Sequence, residues 1–235
     1  MVILFDADSL IYSSCINVDD NVELGIAKFD EVLMSIVNHL EEYWEIQELI
    51  LFNSARGNYR KILDKEYKAP RGKYELPKIL GDIQQYVIKT YESKRAYGME
   101  TDDLVAIYWN RLQQEHGRNN VIIVSIDKDY KQLPALIYNY HYKHKEIYDV
   151  SPHDALYNFY TQMIVGDSAD NVNYCKGYGK KYTEKLFKDC TSHYQFTKRT
   201  YDLFKKIYKG KGRMKYIQCY HLLRLRTWTL RQKIK

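Results

Sequence analysis

Carboxylates recur in this sequence wherever an apolar run ends. Asp6, with Asp8 two residues on, follows VILF. Glu100, Asp102 and Asp103 crowd into GMETDDLVAIYW at 98–109. Asp127 and Asp129 follow VIIVSI, and Asp167 and Asp170 stand three apart in VGDSADNVNY. One or two acids suit the positive end of a helix, and Thr101 is a good N-cap type, but a third asks for more. Two carboxylates about 4 Å apart repel by roughly 4 kcal/mol at an effective dielectric near 20. A larger set must take up protons or bind cations. Hard divalent ions suit oxygen donors, and Mg²⁺ keeps waters and uses few carboxylates. Paired ions about 4 Å apart activate water and stabilise a leaving oxygen in phosphodiester cleavage. His and Cys are missing from these motifs, which argues against zinc.

Such a set works only if the fold gathers it. VILF (2–5), ELILF (48–52), a run around 86–90 (YVIKT) and VIIVSI (121–126) read as buried strands. Helical spacing appears at 24–43, in Leu24, Ala27, Val32, Ile36 and Leu40. Further helices are expected over 76–86 and 102–115. Short apolar strands alternating with helices predict an α/β fold with a parallel sheet covered on both faces. The strands' carboxyl ends then line the ligand crevice. Asn53 ends the second strand, and acids follow each of the others.

The bulk properties are compatible with this. A chain of 235 residues with 45% hydrophobic and 28% charged residues can bury a real core. No apolar run is long enough for a membrane span, and the N-terminus lacks a basic start, so a secretory signal is not expected. Cys15, Cys175, Cys190 and Cys219 are scattered without metal spacing and read as free thiols in a reducing compartment. Most of the 24 tyrosines read as packing, a minority as stacking surfaces for bases. Thirteen Lys/Arg and one acid from Gln195 to Lys235 make a tail of net +12, which leaves the first 194 residues at −6 within a chain of +6. An acidic body with a basic tail suggests a polyanionic partner near a cation site.

Two segments look suited to phosphate. CKGYGKKYTEKLF (175–187) is a glycine-punctuated turn opening a helix, where Gly177 and Gly179 allow close backbone approach and Lys180 and Lys181 add charge. RGNYRKILDKEYKAPRGK (56–73) interleaves Arg56, Arg60, Lys61, Lys65, Lys68, Arg71 and Lys73 with Tyr59 and Tyr67, as single-stranded nucleic acid requires.

Together the motifs resemble the structure-specific 5′ nucleases, or flap endonucleases, in their small bacteriophage form. Asp6 is similar to that family's first metal aspartate and ETDD to its Glu-x-Asp-Asp motif. SIDKDYKQL is similar to its Asp-x-Asp, and GDSADNVNYCKGYGKK to its Gly-Asp-x-x-Asp-Asn followed by a helix–three-turn–helix. LFNSARGNYRKILDKEYKAPRGK resembles its strand and basic arch, with Lys68 at the arch lysine that contacts the scissile phosphate.

The resemblance implies a PIN-like, mostly parallel sheet flanked by helices, with a helical arch at about 54–85 and a helix–three-turn–helix DNA-binding module. It implies a nuclease core over 1–165 and a helical, basic region over 166–235. Asp6, Glu100 and Asp102 would hold one Mg²⁺ that delivers hydroxide. Asp127, Asp129 and Asp167 would hold a second that steadies the departing 3′ oxygen, with Asp103 and Asp170 supporting. Mn²⁺ can substitute, and K⁺ would sit at the helix–three-turn–helix. Lys68 and Arg71 would offset charge on the phosphoryl oxygens. Arg56, Arg60, Tyr67, Lys68, Arg71, Gly177, Gly179, Lys180 and Lys181 would contact DNA. The expected activity is 5′→3′ exonuclease and flap endonuclease on branched DNA and RNA–DNA primers, with ribonuclease H activity as an extension. The expected setting is phage DNA replication or repair in the host cytoplasm, as a monomer, alongside a single-stranded DNA-binding protein.

Two departures stand out. Asn53 occupies a position where the family has a metal-site aspartate, so the first ion should bind more weakly. NVNYCKGYGKK replaces the usual Ile-Pro-Gly start of the hairpin. Two rivals stay open: a branched-DNA-binding protein that cuts poorly because of Asn53, and a small single-strand ribonuclease of the related toxin type, which lacks the long arch and the Gly-Lys hairpin.

Overall fold

The computed structural model describes residues 1–73 and 75–227. The chain runs β1 (Val2–Asp6), α1 (Asp8–Ser14), α2 (Val22–Glu41), β2 (Glu48–Ser54), α3 (Arg60–Leu63), α4 (Leu80–Thr90), β3 (Lys94–Ala96) and α5 (Thr101–His116). It continues with β4 (Val121–Val124), β5 (Leu136–Asn139), β6 (Glu146–Asp149), α6 (Pro152–Val165), α7 (Lys180–Phe187), α8 (His193–Tyr208) and α9 (Gly212–Leu223). The six strands form one sheet in the order β3-β2-β1-β4-β5-β6. Every pairing is parallel except β5 with β6, which is antiparallel.

β1 lies in the middle, and all five of its residues are buried. Because strand side chains alternate between faces, Ile3 and Phe5 pack with Phe29, Leu33, Ile83 and Val87 of α2 and α4. Val2 and Leu4 pack on the opposite face with Val105, Ala106 and Trp109 of α5. That is why VILF and VIIV read as continuous apolar runs. A third cluster joins α6, α7, α8 and α9 around Phe159, Tyr160, Phe187, Phe196 and Phe204, with Tyr67 inserted from the β2–α4 connection.

The strand expected at 86–90 is instead the end of α4. Ile83 and Val87 are spaced four apart, and both face the core from a helix. The third strand is the short, polar β3 at 94–96. The antiparallel pair β5–β6 and the helix α1 escaped sequence reasoning, each being only four to seven residues long. Between β2 and α4 the chain forms α3 and a 3₁₀ turn over Ala69–Lys73. All four cysteines are buried and free. Among the described residues, no helix is long and apolar enough to cross a membrane.

After α9 the chain folds back across the core as a strap. Leu225 enters the α5 face of the sheet. The Gln132 amide donates to the Leu223 carbonyl at 2.8 Å, and the Asn110 amide to the Thr227 carbonyl at 3.0 Å.

Candidate active site

The acids meet because β1 is flanked by β2 and β4, so three carboxyl ends and the start of α5 share one edge. Asp6 closes β1, and Asp8 opens α1. Glu100 is the N-cap residue of α5, which moves the cap one place before the expected Thr101. Thr101 instead donates its hydroxyl to Asp8 at 2.6 Å. Asp127 caps the 3₁₀ turn after β4 by accepting the Asp129 N–H at 2.9 Å. Gly166 ends α6 at φ +82°, where a Cβ would collide with the Val172 carbonyl; this tight turn sets Asp167 in place.

The result is a cleft of about 680 Å³ whose lining includes Asp6, Asp8, Glu100, Asp102 and Asp127 together with Lys61, Lys68 and Arg71. Asp102, Asp127 and Asp129 each offer an oxygen within 4.8 Å of the others. The Gln162 amide bridges Asp129 (2.9 Å) and Asp167 (3.2 Å), and Lys128 lies 2.7 Å from Asp167. Asp170 meets Tyr67, Lys68 and Arg71.

Electrostatics mark this pit as short of positive charge. Burial, then Asp8, pushes the Asp6 carboxyl up to about 8, despite a hydrogen bond from Tyr130. Burial, then Asp127 and Asp167, pushes Asp129 up to about 7. Burial and the neighbouring Asp103 and Glu100 raise Asp102 well above the usual range. Glu100 goes the other way: burial opposes its ionisation, yet Lys68 and Arg60 hold it low. Asp167 is likewise held low against burial by Lys128. Asp170 is raised by burial, which its neighbours Lys68 and Tyr67 offset only in part. A set of oxygen donors that repel one another and bind protons at neutral pH fits hard divalent cations. Tyr140 lies near Asp6 and Asp8 but outside the lining of the cleft. Its hydroxyl is buried without a partner among the described residues, and the charges of Asp6 and Asp8 act on it.

The basic segment lies down on the acids. Lys68 pairs with Glu100, its backbone N–H reaches the Asp170 carbonyl at 3.0 Å, and its φ is +55°. Arg71 donates to Asp170 at 2.9 Å while remaining about half exposed.

Several expected residues stand elsewhere. Asn53 is fully buried; its oxygen accepts from Ser93 at 2.7 Å, so it is turned into the sheet rather than toward the cleft. Asp103 is fully buried and held by both guanidinium nitrogens of Arg60, which makes it a fastening and not an open ligand. Arg60 is 1% exposed, so it is no surface contact for DNA. Tyr67 is 2% exposed, and its hydroxyl lies 2.7 Å from a carboxylate oxygen of both Glu100 and Asp170, with one proton to share between them, so its ring is unavailable for stacking. Arg56, Gly177, Gly179, Lys180 and Lys181 are exposed, the last four on the connection from α6 into α7. In the basic tail, Arg224 lies over the Phe159 ring and Arg226 over the Tyr59 ring, while Arg231, Lys233 and Lys235 lie outside the described residues. Asp8 was named among the strand-end acids but given no ligand role, and Lys128, Tyr130 and Gln162 were not singled out by sequence. Asp8 and Lys128 sat visibly inside the acidic motifs, whereas Tyr130 and Gln162 carried no local signal.

Known proteins resemble this chain. A family model described as the 5′-3′ exonuclease N-terminal, resolvase-like domain matches residues 1–158. The 5′-3′ exonuclease of Buchnera aphidicola subsp. Schizaphis graminum is 25% identical over 195 residues, covering 73% of this chain and 64% of that protein. The 5′-3′ exonuclease of Mycoplasmopsis pulmonis is 26% identical over 210 residues, covering 81% and 67%. The chain thus spans about two-thirds of the length of these relatives. Among solved structures, the bacteriophage T5 flap endonuclease pseudo-enzyme–product complex with DNA and metal ions aligns with a TM-score of 0.62 at 14% identity, over 94% of this chain and 98% of that one. The catalytic core of Rad2 with DNA substrate aligns at 0.50 and 15% identity, over 94% and 70%. These structural likenesses establish a PIN-like, flap-endonuclease fold. With the family match covering residues 1–158, the chain belongs to the 5′-3′ exonuclease family through its N-terminal, resolvase-like domain.

Proposed function

We propose that this protein is a divalent-metal-dependent, structure-specific 5′→3′ exonuclease and flap endonuclease. Its substrates are branched DNA and RNA–DNA primers. The observation that carries the reading is the cleft itself, in which the carboxylates of Asp6, Glu100, Asp102 and Asp127 are gathered together with Lys68 and Arg71. Asp6, Glu100 and Asp102 would hold one ion, and Asp127, Asp129 and Asp167 a second. Mg²⁺ or Mn²⁺ bound there lowers the pKa of water and offsets charge on the leaving oxygen.

The chain's own residues supply the rest. Tyr130 fixes the Asp6 carboxylate, and Gln162 keeps Asp129 and Asp167 in register. Lys68 and Arg71 are parked on Glu100 and Asp170. From there the two side chains would be available to the phosphoryl oxygens, where charge grows as the bond breaks. The segment expected as the arch, about 54–85, would pass over the 5′ strand, although its last residues belong to α4. Exposed backbone N–H groups at Gly177–Lys180, with Lys181, would hold the duplex backbone, and K⁺ would neutralise carbonyls of that turn. The nuclease core (1–165) would carry most of the ion-binding acids and the helical region after it (166–235) the duplex grip, with Asp167 of that region contributed to the second ion's set. The setting that goes with this reading is phage DNA replication or repair in the host cytoplasm, as a monomer beside a single-stranded DNA-binding protein.

A 5′-labelled flap incubated with Mg²⁺, with Mn²⁺ and with EDTA tests this. Metal-dependent release of short 5′ products supports the proposal; intact flap under both metals refutes it. Asn53 supports a second reading, a branched-DNA binder with weak turnover. Slow cutting that accelerates in Asn53→Asp would favour it.

A further inference from the structure

We infer that Asp8 delivers to the cleft the carboxylate that Asn53 does not, and that it helps hold the divalent ion beside Asp6 and Glu100. The inference rests on the nuclease reading above and assigns a role to a residue outside its ligand sets.

Asn53 is out of play as a ligand. It is fully buried, its oxygen is taken by the Ser93 hydroxyl, and its amide points to the Ser54 carbonyl at 3.4 Å. The end of β2 therefore brings no negative charge to the cleft. One residue further on, the same strand end takes hold of a carboxylate from a different element. The Ser54 N–H donates to Asp8 Oδ1 at 2.9 Å and its hydroxyl to the same oxygen at 3.2 Å. The Thr101 hydroxyl donates to Oδ2 at 2.6 Å. Asp8 is thus tied at once to the end of β2 and the first turn of α5, and it lines the cleft with Asp6, Glu100, Asp102 and Asp127.

The pattern of partners is informative. Neutral donors, Ser54 and Thr101, orient the Asp8 carboxylate. No Lys or Arg within ion-pair distance neutralises it among the described residues, unlike Glu100, Asp103, Asp167 and Asp170. An oriented carboxylate without a cation, beside Asp6, is the state of a ligand side chain held by its supporting hydrogen bonds. A carboxylate whose only task was to staple β2 to α5 would gain nothing from a position where it repels Asp6.

Asp8→Asn keeps an acceptor for Ser54 or Thr101 and removes the charge. Mn²⁺ binding measured by isothermal titration should weaken by at least about tenfold. Flap cleavage at limiting Mg²⁺ should fall and recover in part as Mg²⁺ is raised. In EDTA the variant should melt at the wild-type temperature or above it, because a repulsion has gone; a staple would melt lower. Asp8→Ser, which keeps a short polar side chain, provides the same reading should the amide fold poorly. Wild-type Mn²⁺ affinity in a folded Asp8 variant overturns the inference, and if the wild type still cuts flaps the nuclease reading stands. A wild-type protein that binds Mn²⁺ through Asp8 yet cuts nothing supports the inference and overturns the reading.

Discussion

Arg60 grips Asp103 from both guanidinium nitrogens, one at 2.9 Å, with neither side chain reaching solvent. Its Nε and a terminal nitrogen also donate to the carbonyls of Leu222 (2.8 Å) and Arg224 (3.1 Å). One side chain therefore ties the start of α3 to α5 and to the C-terminal strap. Removing it strands a buried carboxylate. Arg60→Ala is expected to cost about 3–5 kcal/mol, as breakage of buried pairs does. Urea unfolding measures this, and a stability within about 0.5 kcal/mol of wild type would contradict it.

Lys68 answers to a different measurement. Lys68→Ala should cut a flap about 10²–10³-fold more slowly in single turnover, the range for loss of one charge-stabilising donor. Flap affinity in Ca²⁺ should hold within a few-fold. Cleavage at full rate would show that Lys68 does no more than pair with Glu100.

The pit also predicts an unusual pH dependence. In Asp6, Asp102 and Asp129 the folded-state pKa lies above the unfolded value, so between about 4 and 8 the native chain binds more protons than the unfolded one. In EDTA, stability should fall as pH rises from 5 to 8. Glu100 and Asp167, held low, act in the opposite sense only at more acid pH. Millimolar Mn²⁺ should flatten the slope, because the ion displaces those protons. Melting curves across that range decide it, and a metal-free Tm that climbs from pH 5 to 8 would contradict the placement of these acids.

Tyr67→Phe keeps the ring in its cluster and removes the hydroxyl shared by Glu100 and Asp170. The expected loss is about 1–3 kcal/mol, the cost of an unsatisfied buried polar partner. A stacking role would predict weaker single-strand binding with stability unchanged.

Lys180→Ala with Lys181→Ala should weaken duplex binding similarly across sequences. The slope of log affinity against log salt should drop by about 1 per lost phosphate contact. An unchanged slope would remove the α6–α7 connection from the DNA interface.

How much of this was legible in the chain depends on the range of the interaction. β1, β2 and β4 announce themselves because strands buried on both faces carry unbroken apolar runs, and the acids follow them directly. Tyr-Val-Ile-Lys-Thr at 86–90 misleads because β-branched residues end an amphipathic helix whose buried positions start upstream, at Ile83. Arg60 and Tyr67 look like nucleic-acid contacts within their own segment. Their burial is decided by Asp103, Asp170 and the strap, 43 to 164 residues away. Asn53 shows its missing charge in one letter, whereas the hydrogen bonds that turn Asp8 toward the cleft are visible only in three dimensions.

The strap has a consequence for biosynthesis. Leu222, Arg224 and Arg226 supply backbone groups that complete the Arg60–Asp103 fastening. During translation these residues emerge more than a hundred positions after Asp103. A nascent chain on the ribosome can build its sheet early, but its acidic pocket stays loosely set until those late carbonyls arrive. The final setting of that pocket is thereby deferred until residues 222–226 have left the ribosome.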